Sequence, residues 1–64
     1  MIEVGDNVTW LADGVKRTGK VLRVEVIQSK DGEKRCLTVH ILGDRSARAY
    51  RFINETAVIK HQKN

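Results

Sequence analysis

Short apolar stretches separated by turn residues run along the whole chain of 64 residues. The apolar residues are mostly β-branched, with eight Val and five Ile, and no long stretch carries apolar residues at helical spacing. Strand-like segments at regular intervals, with turn signals between them, are typical of a small all-β sandwich or barrel. The pattern therefore predicts an all-β domain.

Five strands and one helical turn are predicted within a single domain over residues 1–60. The predicted strands cover 7–12, 19–29, 34–42, 45–53 and 57–60, and residues 54–56 form the helical turn, which Asn54 caps. Asp13-Gly14 opens a loop that runs to Thr18, and turn residues at 30–33 and 43–44 close two hairpins. Residues 61–64 are polar, and we expect them to be a frayed tail.

Alternation along these strands indicates one core. The predicted core residues are Val4, Val8, Val21, Val24, Val26, Val39, Ile41 and Val58. Trp10 shares a strand face with Val8, and Tyr50 and Phe52 are the other two aromatic residues. We expect at least one of the three aromatic side chains to lie in the core, and two are favoured, because aromatic residues contribute most to a small core. Which face of the strand at 45–53 is buried stays open.

Residues 5–24 carry a motif of glycines, valines and cations. Gly5, Asp6 and Val8 form a G-D-x-V opening, Gly14, Lys16 and Arg17 lie in the predicted loop, and Gly19, Val21 and Val24 form a G-x-V-x-x-V segment. We expect Gly19 to lie where any side chain would collide with the neighbouring strand.

This stretch resembles the KOW motif, although the second loop glycine of that family is absent here. The predicted strand order is similar to that of SH3-like barrels, which include the Tudor, chromo-barrel and KOW domains. The resemblance implies a small five-stranded SH3-like barrel with a short helical turn before the last strand. It also implies contact with RNA or with protein partners, because those are the partners of KOW domains.

The charge is distributed unevenly along the chain. Twelve Lys and Arg against eight Asp and Glu give a net charge of +4. Residues 1–33 carry five basic and six acidic side chains, whereas residues 34–64 carry seven and two. A basic half favours an acidic partner such as nucleic acid. The alternative is a charged surface that only keeps a small domain soluble.

Two groups of residues are candidates for binding nucleic acid. The first is a set of three cations on or beside the predicted loop, Lys16, Arg17 and Lys20, which could hold phosphate oxygens without reading sequence. The second is the predicted fourth strand, with Arg45, Arg48, Arg51 and Tyr50. Arginine beside an aromatic ring suits phosphate contact combined with base stacking. We therefore expect a non-enzymatic module that binds nucleic acid, with RNA or single strands favoured.

Other functions stay open at this stage. An exposed strand edge or a homo-oligomer would make the chain a protein-interaction or accessory module, such as a small factor encoded by a phage or plasmid. A Tudor-like cage for methylated side chains would need all three aromatic residues and leave the core without any. The type II dihydrofolate reductases are also tiny SH3-like barrels, but residues 48–51 lack the Gln and Ile of their pore strand.

The sequence offers little catalytic chemistry. His40 and His61 are the two histidines, and Cys36 has no Cys or His partner at metal-ligand spacing, so we expect no disulfide, no metal and no cofactor. The chain has no apolar run of 18 residues and no signal-peptide pattern, so we expect a cytoplasmic protein without a membrane partner.

Overall fold

A computed structural model describes residues 1–63 as one antiparallel sheet of five strands. The strands are β1 (Asn7–Ala12), β2 (Val15–Ser29), β3 (Gly32–Ile41), β4 (Tyr50–Asn54) and β5 (Val58–Gln62), with a 3₁₀ turn (Glu55–Ala57) before β5. Their order across the sheet is β4-β3-β2-β1-β5. The prediction of an all-β chain with five strands and one helical turn before the last strand is confirmed. Asn64 lies outside the described residues.

The first hairpin is tighter than the sequence indicated. Asp13 and Gly14 both have positive φ angles, 52° and 78°, and Ala12 pairs directly with Val15. Two central residues with positive φ form a type I′ turn, which matches the twist of the flanking strands and lets pairing start at once. The predicted loop through Thr18 is therefore wrong, and β2 begins at Val15.

The fourth strand is shorter than predicted. Residues 42–49 form a series of turns instead of a strand, and β4 begins only at Tyr50. Within these turns the backbone N–H of Ser46 donates to Asp44 Oδ1 at 2.8 Å. This bond lowers the pKa of Asp44, because it stabilises the carboxylate. The local hydrogen bond gives the backbone an alternative to strand pairing at this point.

The C-terminal part of the described chain, residues 54–62, is paired with the sheet. Asn54 caps the 3₁₀ turn, since its Oδ1 accepts a hydrogen bond from the Thr56 N–H at 3.0 Å. β5 continues through His61 and Gln62, which the sequence placed in the tail. The antiparallel pairing of β5 with β1 brings Gln62 opposite Asn7. β5 is therefore the edge strand of the sheet next to β1.

The core lies on one side of the sheet, which we call the inner face. Its buried residues are Ile2, Val8, Trp10, Val21, Leu37, Val39, Ile41 and Ala49. The predictions of a buried Val8, Val21, Val39 and Ile41 are confirmed, and Val24 and Val58 are half-buried against this cluster.

Two core predictions are wrong, because Val4 and Val26 are exposed. Val4 lies in the turn before β1. Val26 is paired only with Arg35 of β3, in the part of β2 that extends past the end of its pairing with β1. Neither side chain therefore has a second strand beside it to cover it.

The aromatic residues divide between the two sides of the sheet. Trp10 is buried, whereas Tyr50 and Phe52 are 51% and 82% exposed. Ile53 of β4 packs against the core instead. The core thus contains one aromatic residue and not two, and the inner face of β4 is the one that carries Ile53.

Two bulges bend the sheet. Val21 pairs with Val39 and Arg23 with Thr38, so Leu22 is an extra residue in β2, and a second irregularity interrupts the pairing of β1 with β5. Bulges raise the local twist and bend a strand. A bent sheet can fold over its own inner face, which explains how five strands bury Val21 and Val39 completely without a second layer.

Asp6 of the G-D-x-V opening has a structural role. Its side chain is nearly buried, and Oδ2 accepts hydrogen bonds from the Glu3 N–H at 2.9 Å and from His61 Nε2 at 2.7 Å. Its carbonyl oxygen accepts from the Val21 N–H at 2.8 Å. Asp6 therefore connects the N-terminal segment, β2 and β5.

Replacement of this carboxylate should loosen both ends of the chain. We expect Asp6→Ala to lower the free energy of unfolding by about 2 kcal/mol, because it leaves a backbone donor and an imidazole without their acceptor. Asp6→Asn keeps an oxygen acceptor and should cost about half as much. Urea unfolding followed by tryptophan fluorescence measures both, and equal losses for the two variants would contradict this role.

Candidate functional site

The side of the sheet opposite the core, here called the outer face, carries polar, basic and aromatic side chains. Ile27 and Lys34 lie on the same side beyond the end of β4, where β2 and β3 pair only with each other, and they are not counted in this face. In the rest of the sheet, strand alternation and register place there Asn7, Thr9 and Leu11 of β1, Lys16, Thr18, Lys20, Arg23 and Glu25 of β2, Cys36, Thr38 and His40 of β3, Tyr50, Phe52 and Asn54 of β4, and Lys60 and Gln62 of β5. Four of these described residues are Lys or Arg, and one is acidic. The outer face is therefore positive.

One row of side chains crosses the whole sheet. It consists of five successive register partners, one from each strand, in the order Gln62, Asn7, Lys20, His40 and Tyr50. Neighbouring strands lie about 4.8 Å apart, so the row is about 19 Å long. We call it the long row. It begins with amide side chains at β5, has a cation at its centre, and ends on an aromatic ring at β4.

A second, shorter row lies beside the long row. Arg23, Thr38 and Phe52 are register partners on β2, β3 and β4. The bulge at Leu22 shifts the alternation of β2 by one residue, and this shift places Arg23 on the outer face together with Lys20. Arg23 Nε lies 3.2 Å from Glu25 Oε1, but both side chains are well exposed. Such a surface ion pair is weak and leaves the guanidinium available to another anion.

The end of the outer face near β5 is a shallow polar depression. Thr9 and Thr18 face each other across β1 and β2 with their hydroxyl oxygens 3.1 Å apart. Lys60, Asn7 and Gln62 complete its lining. Hydroxyl, amide and ammonium groups are the side-chain donors that proteins use toward phosphate and sugar oxygens.

At the β4 end of the outer face, two aromatic rings are in contact. The rings of His40 and Tyr50 have their centroids 5.1 Å apart and their planes inclined by 56°. Tilted pairs at this distance are favourable. Phe52 is two residues from Tyr50 on the same strand and, at 82% exposure, has one of the most exposed apolar side chains among the described residues.

The structure brings together three of the residues that the sequence singled out. Lys16, Lys20 and Tyr50 all lie on the outer face. Lys16 lies on β2 and not in the predicted loop, whereas Lys20 lies on the strand that was predicted over 19–29. Arg17 is also on β2, but it pairs with Trp10 and thus belongs to the inner-face side of the strand, at an exposed margin.

The predicted cluster of three arginines on one strand is not present. Arg45 and Arg48 lie in the turns before β4. Arg51 is on β4 opposite Val39, away from the outer face. Its Nη1 donates hydrogen bonds to the carbonyl oxygens of Arg48 and Tyr50, so its guanidinium is engaged by the chain itself. The arginine assignments depended on a strand that begins five residues later than predicted.

Sequence reasoning missed four residues of the outer face. They are Arg23, His40, Phe52 and Lys60. The alternation that pairs Phe52 with Tyr50 was a usable signal, but the expectation of aromatic residues in the core outweighed it. The two-residue turn at Lys30-Asp31 fixes the register that sets His40 opposite Lys20. The bulge that redirects Arg23 left no signal in the sequence.

A second depression, near the 3₁₀ turn, has a structural explanation. Arg35 Nε donates to Glu55 Oε2 at 2.5 Å, and its Nη2 donates to the Ile2 carbonyl oxygen at 2.8 Å. This depression is lined by Glu33, Lys34, Arg35, Asn54, Glu55 and Thr56. The cation at its centre connects the N-terminal segment to the 3₁₀ turn, and its donors are used within the chain.

The described residues, 1–63, form no group of three or more His, Cys, Asp or Glu side chains that could hold a metal ion. The same residues contain no helix with the length and apolar character needed to cross a membrane.

Comparisons with known proteins found no significant match to this chain among family models, curated proteins or solved structures. Function must therefore be argued from the site itself.

Proposed function

We propose that this chain is a small, non-enzymatic module that binds nucleic acid on its outer face, and that its bent sheet is an SH3-like barrel of the KOW or Tudor kind. The observation that carries the proposal is the long row, in which Lys20 lies between amide side chains on one side and the His40–Tyr50 ring pair on the other. A cation flanked by hydrogen-bond donors and by aromatic rings matches the phosphate, sugar and base of a polynucleotide.

The charge of the outer face supports the same ligand. The outer face carries four cations and one acid, Glu25, which is already paired with Arg23. The cations are Lys16, Lys20, Arg23 and Lys60. Like charges held on one face repel each other unless an anion is present, so a polyanion gains more from this face than a neutral partner does. Cys36 is a free thiol, which suits the cytoplasm in which we place the protein.

Salt dependence tests the electrostatic contribution. If the four outer-face cations each contact a phosphate of a single strand, the slope of log K against log salt should be about −3. Fluorescence anisotropy with a labelled oligonucleotide between about 50 and 200 mM salt measures it. A slope near zero would contradict the proposal.

Two variants separate charge from other contacts. Lys20→Ala should make the slope less steep by about 0.7, because one phosphate contact is lost. Thr38 lies on the same face and carries no charge, so Thr38→Ala should leave the slope of log K against log salt unchanged. Equal slopes for Lys20→Ala and the unmodified chain would remove Lys20 from the site.

A protein partner is the second candidate function. β4 and β5 are the two edge strands of the sheet, and an edge strand can pair with a strand from another chain. Arg51 covers backbone carbonyl oxygens at the start of β4, so β5, with its half-exposed Ile59, is the more open edge. Light scattering that shows a dimer, together with no affinity for any oligonucleotide, would favour this function.

A further inference from the structure

Two of the three aromatic side chains lie on the outer face, although the core is small. Tyr50 and Phe52 are 51% and 82% exposed, and they occupy positions i and i+2 of β4. A buried aromatic side chain is among the largest apolar contributions to stability, so both residues give up stabilisation in a domain of limited core. Two exposed rings side by side within a positive face point to a ligand with flat apolar surfaces.

The two rows repeat the same chemistry. The long row contains Lys20, His40 and Tyr50, and the row beside it contains Arg23, Thr38 and Phe52. Each therefore has a cation on β2, a polar residue on β3 and an aromatic ring on β4. The bulge at Leu22 creates this repeat, because without it Arg23 would face the core side of the sheet.

The spacing of the rows selects between forms of nucleic acid. Positions i and i+2 of a strand are about 6.8 Å apart, which is twice the rise of about 3.4 Å per nucleotide in duplex DNA. Inside a duplex the bases are stacked on each other, so neither ring could reach a base face. In an extended single strand, successive bases are separated and can each stack on a protein side chain.

We infer that the ligand is an extended single strand that places two consecutive bases on Tyr50 and Phe52 and the adjoining phosphates at Lys20 and Arg23. This inference rests on the proposed function. Each row then receives one nucleotide, with its base over β4 and its phosphate over β2. His40 contacts the Tyr50 ring, with the two ring planes inclined by 56°. Recognition depends on base faces and phosphates, which all nucleotides share, so binding should tolerate many sequences.

Binding of matched single strands and duplexes tests the inference. Labelled single-stranded DNA, single-stranded RNA and the corresponding DNA duplex are titrated at low salt. We expect tighter binding of the single strands than of the duplex. Tyr50→Ala and Phe52→Ala should each weaken single-strand binding about 5- to 150-fold, the range for loss of one stacked base. Duplex binding should change less than twofold in the same variants.

Further variants distinguish stacking from packing. Tyr50→Phe keeps a flat ring and should bind nearly as well as the unmodified chain, whereas Phe52→Leu keeps apolar volume without a ring face and should lose affinity as Phe52→Ala does. Val26→Ala removes an exposed apolar side chain from the opposite side of β2 and should have no effect. Because Tyr50 and Phe52 are exposed, the variants should melt close to the unmodified chain, which circular dichroism checks.

The possible outcomes separate this inference from the proposed function. If single strands and duplex bind equally and the aromatic variants change neither, while Lys20→Ala weakens both, the inference is overturned and the proposed function stands. If no oligonucleotide binds at low salt, both are overturned. A preference between DNA and RNA that persists in the aromatic variants would locate that preference outside the two rings, and stacking would still be supported by the loss of affinity.

Discussion

Replacement of Gly19 by alanine should destabilise the fold by about 3 kcal/mol, near the upper end for an added methyl group in a packed site. A Cβ atom at Gly19 would lie 2.7 Å from the carbonyl oxygen of His40 and 3.1 Å from Cη2 of Trp10. The oxygen belongs to the backbone of β3 and cannot move without disturbing the pairing of β2 with β3. This supports the prediction that a side chain at this glycine collides with the neighbouring strand.

A domain of this length has a free energy of unfolding of only about 3–10 kcal/mol, so the loss is a large share of the total. The midpoint of thermal unfolding should fall by about 12–24 °C. Urea unfolding at constant m value gives the free energy directly. Since His40 also supports the Tyr50 ring, the same substitution should disturb the aromatic end of the outer face.

Gly14→Ala is the matched control for this prediction. Gly14 has a positive φ angle of 78°, but a Cβ atom there meets nothing within 4 Å. Its cost should therefore be only that of a left-handed backbone with a side chain, about 1 kcal/mol. A loss at Gly14 as large as that at Gly19 would contradict the prediction that the collision at Gly19 carries the larger cost.

The sequence predicted the fold class because the information needed for it is local. β-branched residues mark the strands, and turn residues such as Asp13-Gly14 separate them. The same local information misplaced the ends of β2 and β4. A type I′ turn allows pairing to begin immediately, and the hydrogen bond of Ser46 to Asp44 keeps residues 42–49 in turns. Both outcomes depend on backbone geometry that alternation of residue types does not encode.

The candidate site was predictable only in part for a similar reason. Lys16, Lys20 and Tyr50 were predicted because cations and aromatic residues can be identified from the sequence. Their grouping on one face required the register of four strand pairs, and Arg23 joins them only because a bulge shifts the alternation. Arg51 shows the opposite case, since a cation with the right chemistry is used by the chain itself.

The fold and the outer face are connected through the same few residues. Gly19 allows β2 to approach β3 closely, and the next residue, Lys20, is the centre of the long row. The close approach fixes the position of His40, whose ring contacts Tyr50. The proposed binding surface therefore depends on the spacing of β2, β3 and β4, and the close approach at Gly19 is part of that spacing.

Reversal of two outer-face charges should have the largest effect on binding. Each phosphate contact on a single strand contributes a factor of about eight to the affinity at 50 mM salt, from a slope of about 0.7 per contact. Lys20→Glu combined with Lys60→Glu removes two contacts and adds repulsion, so we expect affinity to fall about 100-fold or more at this salt concentration. The slope of log K against log salt should lose at least about 1.4.

The control for this reversal has the same net charge. Arg17→Glu combined with Lys30→Glu changes two cations that lie off the outer face, one on the inner-face side of β2 and one in the β2–β3 turn. Both double variants take the formal net charge from +4 to 0. If the outer face is the binding surface, the control should lose only a few-fold in affinity, because its charges act at a distance through screened solvent. Equal losses of affinity in the two double variants would mean that the total charge alone attracts the ligand. The long row would then not be the binding surface.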